Sequence, residues 1–248
     1  MEEIIEEFKK RGVSETDIKI ISDEVGNDLA RFRRIAQRRL FKEPFAYIFN
    51  KANFFGYSFF IDWRVYVPNP ETEEMVKIFL GIAKDKSSVV DVGCGSGAIG
   101  ISIKLKMKNL NVYATDIDPS ALEVAKINGK NLNADINFHE SFYVDDIDIP
   151  NPEYVISDLP YGNASYTLPS IDIQEFAHMP PISLFHPQGA LNAYQELIAS
   201  ILRKKWRTTL IFETGRVGKT EVAKIIPSGF KWEYIQNGNY SVTTLNFS

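Results

Sequence analysis

From Ser88 onward the chain repeats one pattern: a short apolar, β-branched run followed by a longer stretch with helical periodicity. Strand-like runs at 88–92, 112–115, 136–138, 154–156 and 208–212 are separated by helical patterns such as 98–108, 119–132 and 188–204. Strands separated by helices are joined by crossovers rather than tight hairpins, and the crossover helices cover the faces of the sheet. The reading is therefore an α/β chain with a largely parallel sheet buried on both sides. The end breaks the pattern: Trp232-Glu233-Tyr234-Ile235 and the run through Tyr240, Val242, Leu245 and Phe247 flank Asn237-Gly238, the mark of a closing hairpin.

The chain before the alternation reads differently. Ile4, Ile5 and Phe8 recur at helical spacing, Ser14 stands three residues before Asp17 as a capping-box variant, and Leu29, Phe32, Ile35, Ala36 and Leu40 form a second apolar stripe. Residues 1–43 are thus expected to form a small helical appendage, a possible substrate-docking element. From Phe45 the residues turn aromatic and β-branched: Phe45-Ala46-Tyr47-Ile48-Phe49, Asn53-Phe54-Phe55 and Tyr57-Ser58-Phe59-Phe60-Ile61, broken by Asn50-Lys51 and Gly56. That predicts a β-hairpin linker over 44–66, leaving 67–248 as the main domain. In Val67-Pro68-Asn69-Pro70-Glu71-Thr72-Glu73-Glu74, Pro70 suits a first helical position and the acids suit the first turn.

Charge and cysteine content narrow the function classes. With 28 basic and 32 acidic residues, the formal net charge of −4 provides no global attraction to nucleic acid. Between Arg31 and Glu43, however, Arg31, Arg33, Arg34, Arg38, Arg39 and Lys42 face a single acid. That run is either a solvated helix face or a contact surface for an acidic protein or RNA. The one cysteine, Cys94, rules out an intrachain disulfide framework, and His139, His178 and His186 lack metal-ligand spacing, so no metal is expected. The acidic opening Met1-Glu2-Glu3 and the lack of a long apolar run predict a cytoplasmic protein without a membrane anchor.

The first motif with chemistry is Asp91-Val92-Gly93-Cys94-Gly95-Ser96-Gly97, where the first long strand pattern meets a helix. Glycines there let the backbone turn sharply and approach a ligand, and Asp116 sits at the end of the next strand, where a ribose-binding acid belongs. The dinucleotide fingerprint alone is a weak signal. Asp91 separates the alternatives: a carboxylate at the strand tip repels a pyrophosphate but orients a cationic or zwitterionic amino-acid group. S-adenosylmethionine carries such an ammonium beside its sulfonium, so a methyltransferase is the reading preferred over a dehydrogenase. Gly215-Arg216-Val217-Gly218-Lys219-Thr220 imitates a phosphate loop, but Glu213 stands where its first glycine is required.

The second motif is Ser157-Asp158-Leu159-Pro160-Tyr161, after the strand-like Tyr154-Val155-Ile156. A carboxylate and a backbone carbonyl can accept the two N–H bonds of an amide or aromatic amine, and an aromatic ring walls its plane. Asp158, Leu159, Pro160 and Tyr161 are therefore the candidate catalytic residues. The following segment, 162–187, rich in Pro and Ser, reads either as a substrate lid or as a disordered connection.

Taken in order, Glu43-Pro44-Phe45-Ala46-Tyr47-Ile48, Phe54-Phe55-Gly56, the Pro68 to Glu73 block, Asp91 to Gly97, Ala114-Thr115-Asp116-Ile117, Asp158 to Tyr161 and Phe212-Glu213-Thr214-Gly215 resemble the HemK/PrmC family of class I methyltransferases, which methylate the side-chain amide of glutamine in peptide-chain release factors. The resemblance implies a Rossmann-like domain with a mostly parallel seven-stranded sheet, S-adenosylmethionine as cofactor and a release factor as protein substrate. It implies that Asp91, Gly93, Cys94, Gly95, Gly97, Asp116, Ile117 and Asp158 hold the cofactor, that Phe142 packs on its adenine, and that Asp158 to Tyr161 hold the glutamine. The chain differs from the family at three points. Asp158-Leu159 replaces the usual Asn-Pro and looks more like the amino-methyltransferases of DNA adenine. Asn69 replaces a frequent arginine, and the helical part is short. Adenine N6 methylation of DNA or RNA is therefore the alternative activity, ribosomal-protein glutamines are an alternative target, and a catalytically degenerate cofactor-binding member is a third reading.

Overall fold

The computed structural model describes residues 1–160, 174–189, 191–238 and 240–248. Two units divide these residues. The first comprises Met1–Lys51 with the described part of Thr167–His178. It begins with α1 (Glu2–Lys10), α2 (Glu15–Val25) and α3 (Leu29–Leu40). The Ser14 hydroxyl accepts the N–H of Asp17 at 3.0 Å, and Asp28 caps α3 through the N–H of Arg31 at 2.9 Å, so α2 and α3 each start where a short polar side chain satisfies an orphan donor. Of the expected stripes, Ile4, Phe8, Phe32, Ile35 and Ala36 meet in one cluster, joined by Ile18 and Ile21 of α2, whereas Leu29 is exposed.

One expectation fails here. The aromatic run at 45–49 is not a strand but a short helix, α4 (Phe45–Phe49). Pro44 starts it, Phe45 and Phe49 stack one turn apart at 5.4 Å, and Ile48 is buried in the helical cluster. Strand propensity of aromatic residues is largely a preference for half-buried surfaces, and here a helical core supplies that surface.

The second unit comprises residues 52–160 and Met179–Ser248 among those described. A hairpin of β1 (Ala52–Phe54) and β2 (Tyr57–Phe59) leads into a 3-10 turn, Pro70–Thr72, and α5 (Glu73–Ile82). Pro70 thus opens a tighter turn ahead of the α-helix, with the Asn69 side chain accepting the N–H of Glu71 at 3.1 Å. Then come β3 (Ser88–Val92), α6 (Ala98–Lys106), β4 (Asn111–Asp116), α7 (Pro119–Asn131), β5 (Asn137–Glu140), β6 (Tyr154–Ser157), α8 (Asn192–Lys204), β7 (Thr209–Glu213), α9 (Lys219–Ala223), β8 (Lys231–Asn237) and β9 (Tyr240–Asn246). The seven-stranded sheet has the order β5-β4-β3-β6-β7-β9-β8, parallel from β5 through β7 and antiparallel for the closing pair.

The sheet reverses direction of build between β3 and β6, so their C-terminal ends flank a crevice, the place where open α/β sheets bind ligands. β3 and β6 are buried over nearly their whole length, which is why both read as mainly apolar runs. Of segment 162–187, residues 174–187 hold two 3-10 turns, Glu175–His178 and Pro181–Ser183; the remainder lies outside the described residues. Among the described residues no helix is long and apolar enough to cross a membrane.

Candidate functional site

The glycine turn follows β3. Gly93, Gly95 and Gly97 have φ of +72°, +51° and +79°, a region L side chains rarely adopt. A side chain at Gly93 would place its Cβ 2.7 Å from Leu159 Cδ2, and one at Gly97 would meet Ile101 Cδ1 at 2.9 Å. Over Gly95 a Cβ would meet nothing within 4 Å, so this part of the turn borders open space. Thr115 holds the turn by accepting the N–H of Gly93 and of Cys94 at 2.8 and 2.9 Å, and Asn128 of α7 donates to the Ser96 carbonyl at 2.9 Å. Cys94 is buried, and burial pushes its thiol well up.

Four acids stand at or beside the C-terminal tips of neighbouring parallel strands. Asp91 of β3 is fully buried: its Oδ2 accepts the Gly100 N–H at 2.8 Å, while Oδ1 is a buried oxygen with no partner. Burial pushes its carboxyl up to about 7. Asp116 of β4 accepts the N–H of Gly95 at 2.8 Å and of Asp118 at 3.0 Å, tying the glycine turn to the next strand, and burial raises its carboxyl too. The cap of α7 falls to Asp118, which accepts the N–H of Ser120 at 2.8 Å. Ile117 and Phe142 follow β4 and β5 with 46% and 45% of their surface exposed, unusual for large apolar groups, and Phe142 meets Tyr143 edge to face at 4.5 Å.

After β6, Asp158 is partly exposed while Leu159 packs into the main core. The Tyr194 hydroxyl of α8 accepts the Leu159 N–H at 2.9 Å and lies 3.4 Å from the Leu159 carbonyl, so one buried phenol holds the backbone on both sides of Leu159. Pro160 is partly buried, and Tyr161 lies outside the described residues. The fourth acid, Glu213, ends β7 and is fully buried. Thr72, from the 3-10 turn, lies between acids: its hydroxyl is 2.9 Å from Asp158 Oδ2 and 2.9 Å from Glu213 Oε2. Desolvation raises the Asp158 carboxyl.

The residues singled out at the two turns therefore meet along one edge of the sheet, with Val92 of β3 paired in register to Ser157 of β6. Of Thr72, Tyr194 and Glu213, only Glu213 carries a local sequence signal. An acid closing the apolar run Leu210-Ile211-Phe212-Glu213 repeats the pattern that marked Asp91. Chemically, an edge of clustered carboxylates beside an open glycine turn suits a cationic ligand and repels a pyrophosphate. The unpartnered Asp91 oxygen and the vacant volume over Gly95 fit a ligand with an ammonium group and a backbone-hugging body. Among the described residues no cluster of His, Cys, Asp and Glu has the form of a metal site.

Most of the six basic residues in the run make ion pairs within the helical unit, and of the six only Arg39 is buried. Arg31 pairs with Glu24, Arg33 with Glu7 and Arg38 with Glu43. Arg39 is 5% exposed, pairs with Asp17 and Glu175 at 3.1 and 2.8 Å and covers the Phe45 ring.

Comparison with known proteins agrees with the geometry. A family model described as "Methyltransferase small domain" matches residues 74–178. The chain is 34% identical over 176 residues to a release factor glutamine methyltransferase of Neisseria gonorrhoeae, covering 69% of this chain and 60% of that protein. It is 30% identical over 228 residues to the release factor glutamine methyltransferase of Bacillus subtilis, covering 85% of this chain and 76% of the relative. The chain is thus shorter than these relatives, spanning about three fifths of the first. Among solved structures, a ribosomal protein L11 methylase from Lactobacillus delbrueckii subsp. bulgaricus is similar in fold, with a TM-score of 0.54 and 17% identity over 75% of this chain and 83% of that one.

Proposed function

The chain belongs to the release factor glutamine methyltransferase family, and on that premise we propose that it transfers a methyl group from S-adenosylmethionine to the side-chain amide nitrogen of a glutamine in a peptide-chain release factor. The observation that carries the reading is the contact of the two turns: Leu159 Cδ2 fills the place that a side chain at Gly93 would take, so the glycine turn and the Asp158 turn share one crevice. Asp91, Gly93, Cys94, Gly95, Gly97, Asp116 and Ile117 would hold the cofactor, with the exposed face of Phe142 against its adenine. When bound, S-adenosylmethionine supplies an electrophilic methyl on a positively charged sulfur.

The rest of the chemistry falls to the chain. An amide nitrogen is a poor nucleophile because its lone pair is delocalised into the carbonyl. Asp158 and the Leu159 carbonyl accept its two N–H bonds, which holds the nitrogen with its lone pair directed at the incoming methyl. Tyr194 constrains the carbonyl's direction through its hydrogen bonds to the N–H and carbonyl of Leu159. Aligning two bound reactants is worth roughly 7 to 11 kcal/mol. Negative charge beside the nitrogen favours the transition state, where positive charge appears, over the ground state. Leu159, buried in the core, makes the turn rigid. The test is transfer of radiolabelled methyl groups to purified release factors, ribosomal proteins, DNA and RNA. Label on a release-factor glutamine is expected; label confined to nucleic acid overturns the proposal.

A further inference from the structure

The acid that faces the substrate does not act alone. Thr72 Oγ1 is 2.9 Å from Asp158 Oδ2 and equally 2.9 Å from Glu213 Oε2, so one hydroxyl lies between the two carboxylates. A hydroxyl has one proton, so it donates to one of these carboxylates and turns a lone pair toward the other. If both acids were ionised, two like charges would also face each other at a place where Glu213 has no solvent exposure. Asp91 of β3 brings a further acid, and the hydroxyls of Tyr194 and Tyr240, from α8 and β9, are neutral, held so by burial and by the two carboxylates. One extra proton resolves both conflicts, because a carboxyl O–H can then donate either to the Thr72 oxygen or to the other acid.

We propose that Asp158 and Glu213 share a single proton through Thr72, making Glu213 and Thr72 positioning residues that fix one oxygen of Asp158 and leave the other to accept an N–H of the target nitrogen. The proposal rests on the reading that Asp158 meets that nitrogen. In this arrangement the protonated pair reproduces what an asparagine amide provides in the Asn-Pro-Pro-Tyr of the family this chain resembles: a donor turned inward and an acceptor turned outward. The difference is that an amide donor cannot dissociate, whereas the shared proton is lost as pH rises. Its loss sets two carboxylates against each other and disturbs the turn on which Leu159 sits.

The test combines infrared difference spectroscopy of the full chain with pH profiles of turnover. As pH is raised from about 4 to about 9, a protonated carboxyl band is expected to persist above the ordinary carboxylate range in the wild type and to vanish in both Asp158→Asn and Glu213→Gln. The buried Asp91 contributes its own band to all three proteins and cancels in the differences. Turnover of the wild type should fall on the alkaline side with loss of one proton, and this limb should be absent from Glu213→Gln. Glu213→Ala should lose about a hundredfold in kcat, with the KM for cofactor within about twofold, and Glu213→Gln should recover most of the loss. A band that survives in both isosteric variants, or an alkaline limb that survives in Glu213→Gln, overturns the shared proton. The infrared measurement needs no methyl acceptor. A pair-specific band without transfer to a release factor would sink the substrate assignment alone, and transfer without the band would sink the shared proton alone.

Discussion

Asp91 lies within β3 and Asp158 just beyond the end of the adjoining β6, and their surroundings differ. Asp158 is partly exposed and faces the crevice, so Asp158→Ala should lower kcat by about a hundredfold or more while leaving the affinity for S-adenosylmethionine within a few fold. Single-turnover methyl transfer alongside calorimetric cofactor binding separates the two; unchanged turnover would dismiss the role. Asp91 is buried, and its carboxyl is pushed up to about 7. The folded chain therefore binds this proton more firmly than the unfolded chain, and the stability it contributes, complete below the ordinary carboxylate pKa, is lost as pH climbs toward 7. Asp91→Asn keeps an acceptor for the Gly100 N–H but removes the titration. Denaturant unfolding without ligand should show the wild type losing on the order of 4 kcal/mol relative to the variant between about pH 4 and pH 7. Parallel curves would refute the burial argument. Both acids could be picked out beforehand because each interrupts an apolar run at the point where chain direction must change. Glu213 has the same signature, but its partner Thr72 lies 141 residues away in sequence. No local pattern announces a contact of that range.

At the level of elements, the glycine turn and the β6 turn form one packed unit. Gly93→Ala would impose a strained backbone and drive Leu159 from its place, at a cost of about 1 to 3 kcal/mol with loss of cofactor binding. Thermal denaturation and cofactor titration of that variant, compared with Gly81→Ala in α5, where φ is ordinary and a Cβ meets open space, provide the control. In the helical unit, Arg39→Ala would strand the buried Asp17 beside α3 and should destabilise that unit by about 3 to 5 kcal/mol, read by hydrogen exchange of amides in α2 and α3. Exchange unaltered in both helices would exclude a structural role. The central strands β3 and β6 were legible because burial on both faces writes a mainly apolar run. The 45–49 segment was not, because five aromatic and aliphatic residues carry too few turns to display a period, and the cluster formed by distant helices decided the outcome. The arginine run shows the same limit: charge is visible in sequence, but whether Arg39 faces water or Asp17 depends on a helix 22 residues upstream.

For the molecule as a whole, the acids at the strand tips predict a thermodynamic linkage. A ligand binding only the folded state at a hundred times its dissociation constant adds about 2.7 kcal/mol. For a chain of this size that amounts to a rise in Tm of roughly 5 to 10 °C with S-adenosylhomocysteine. Asp116→Ala should abolish the rise, because Asp116 ties the glycine turn to β4; a shift kept in full would remove Asp116 from the cofactor site. The strand order has a further consequence for how the chain comes to exist. β9, which lies between β7 and β8, is synthesised after both. During translation β7 therefore waits with its outer row of amides and carbonyls unpaired, and β8 emerges with no neighbour to join. The half of the sheet carrying Glu213 is completed only when residues 240–246 leave the ribosome, so until then the nascent chain exposes a sticky edge that chaperones would have reason to shield.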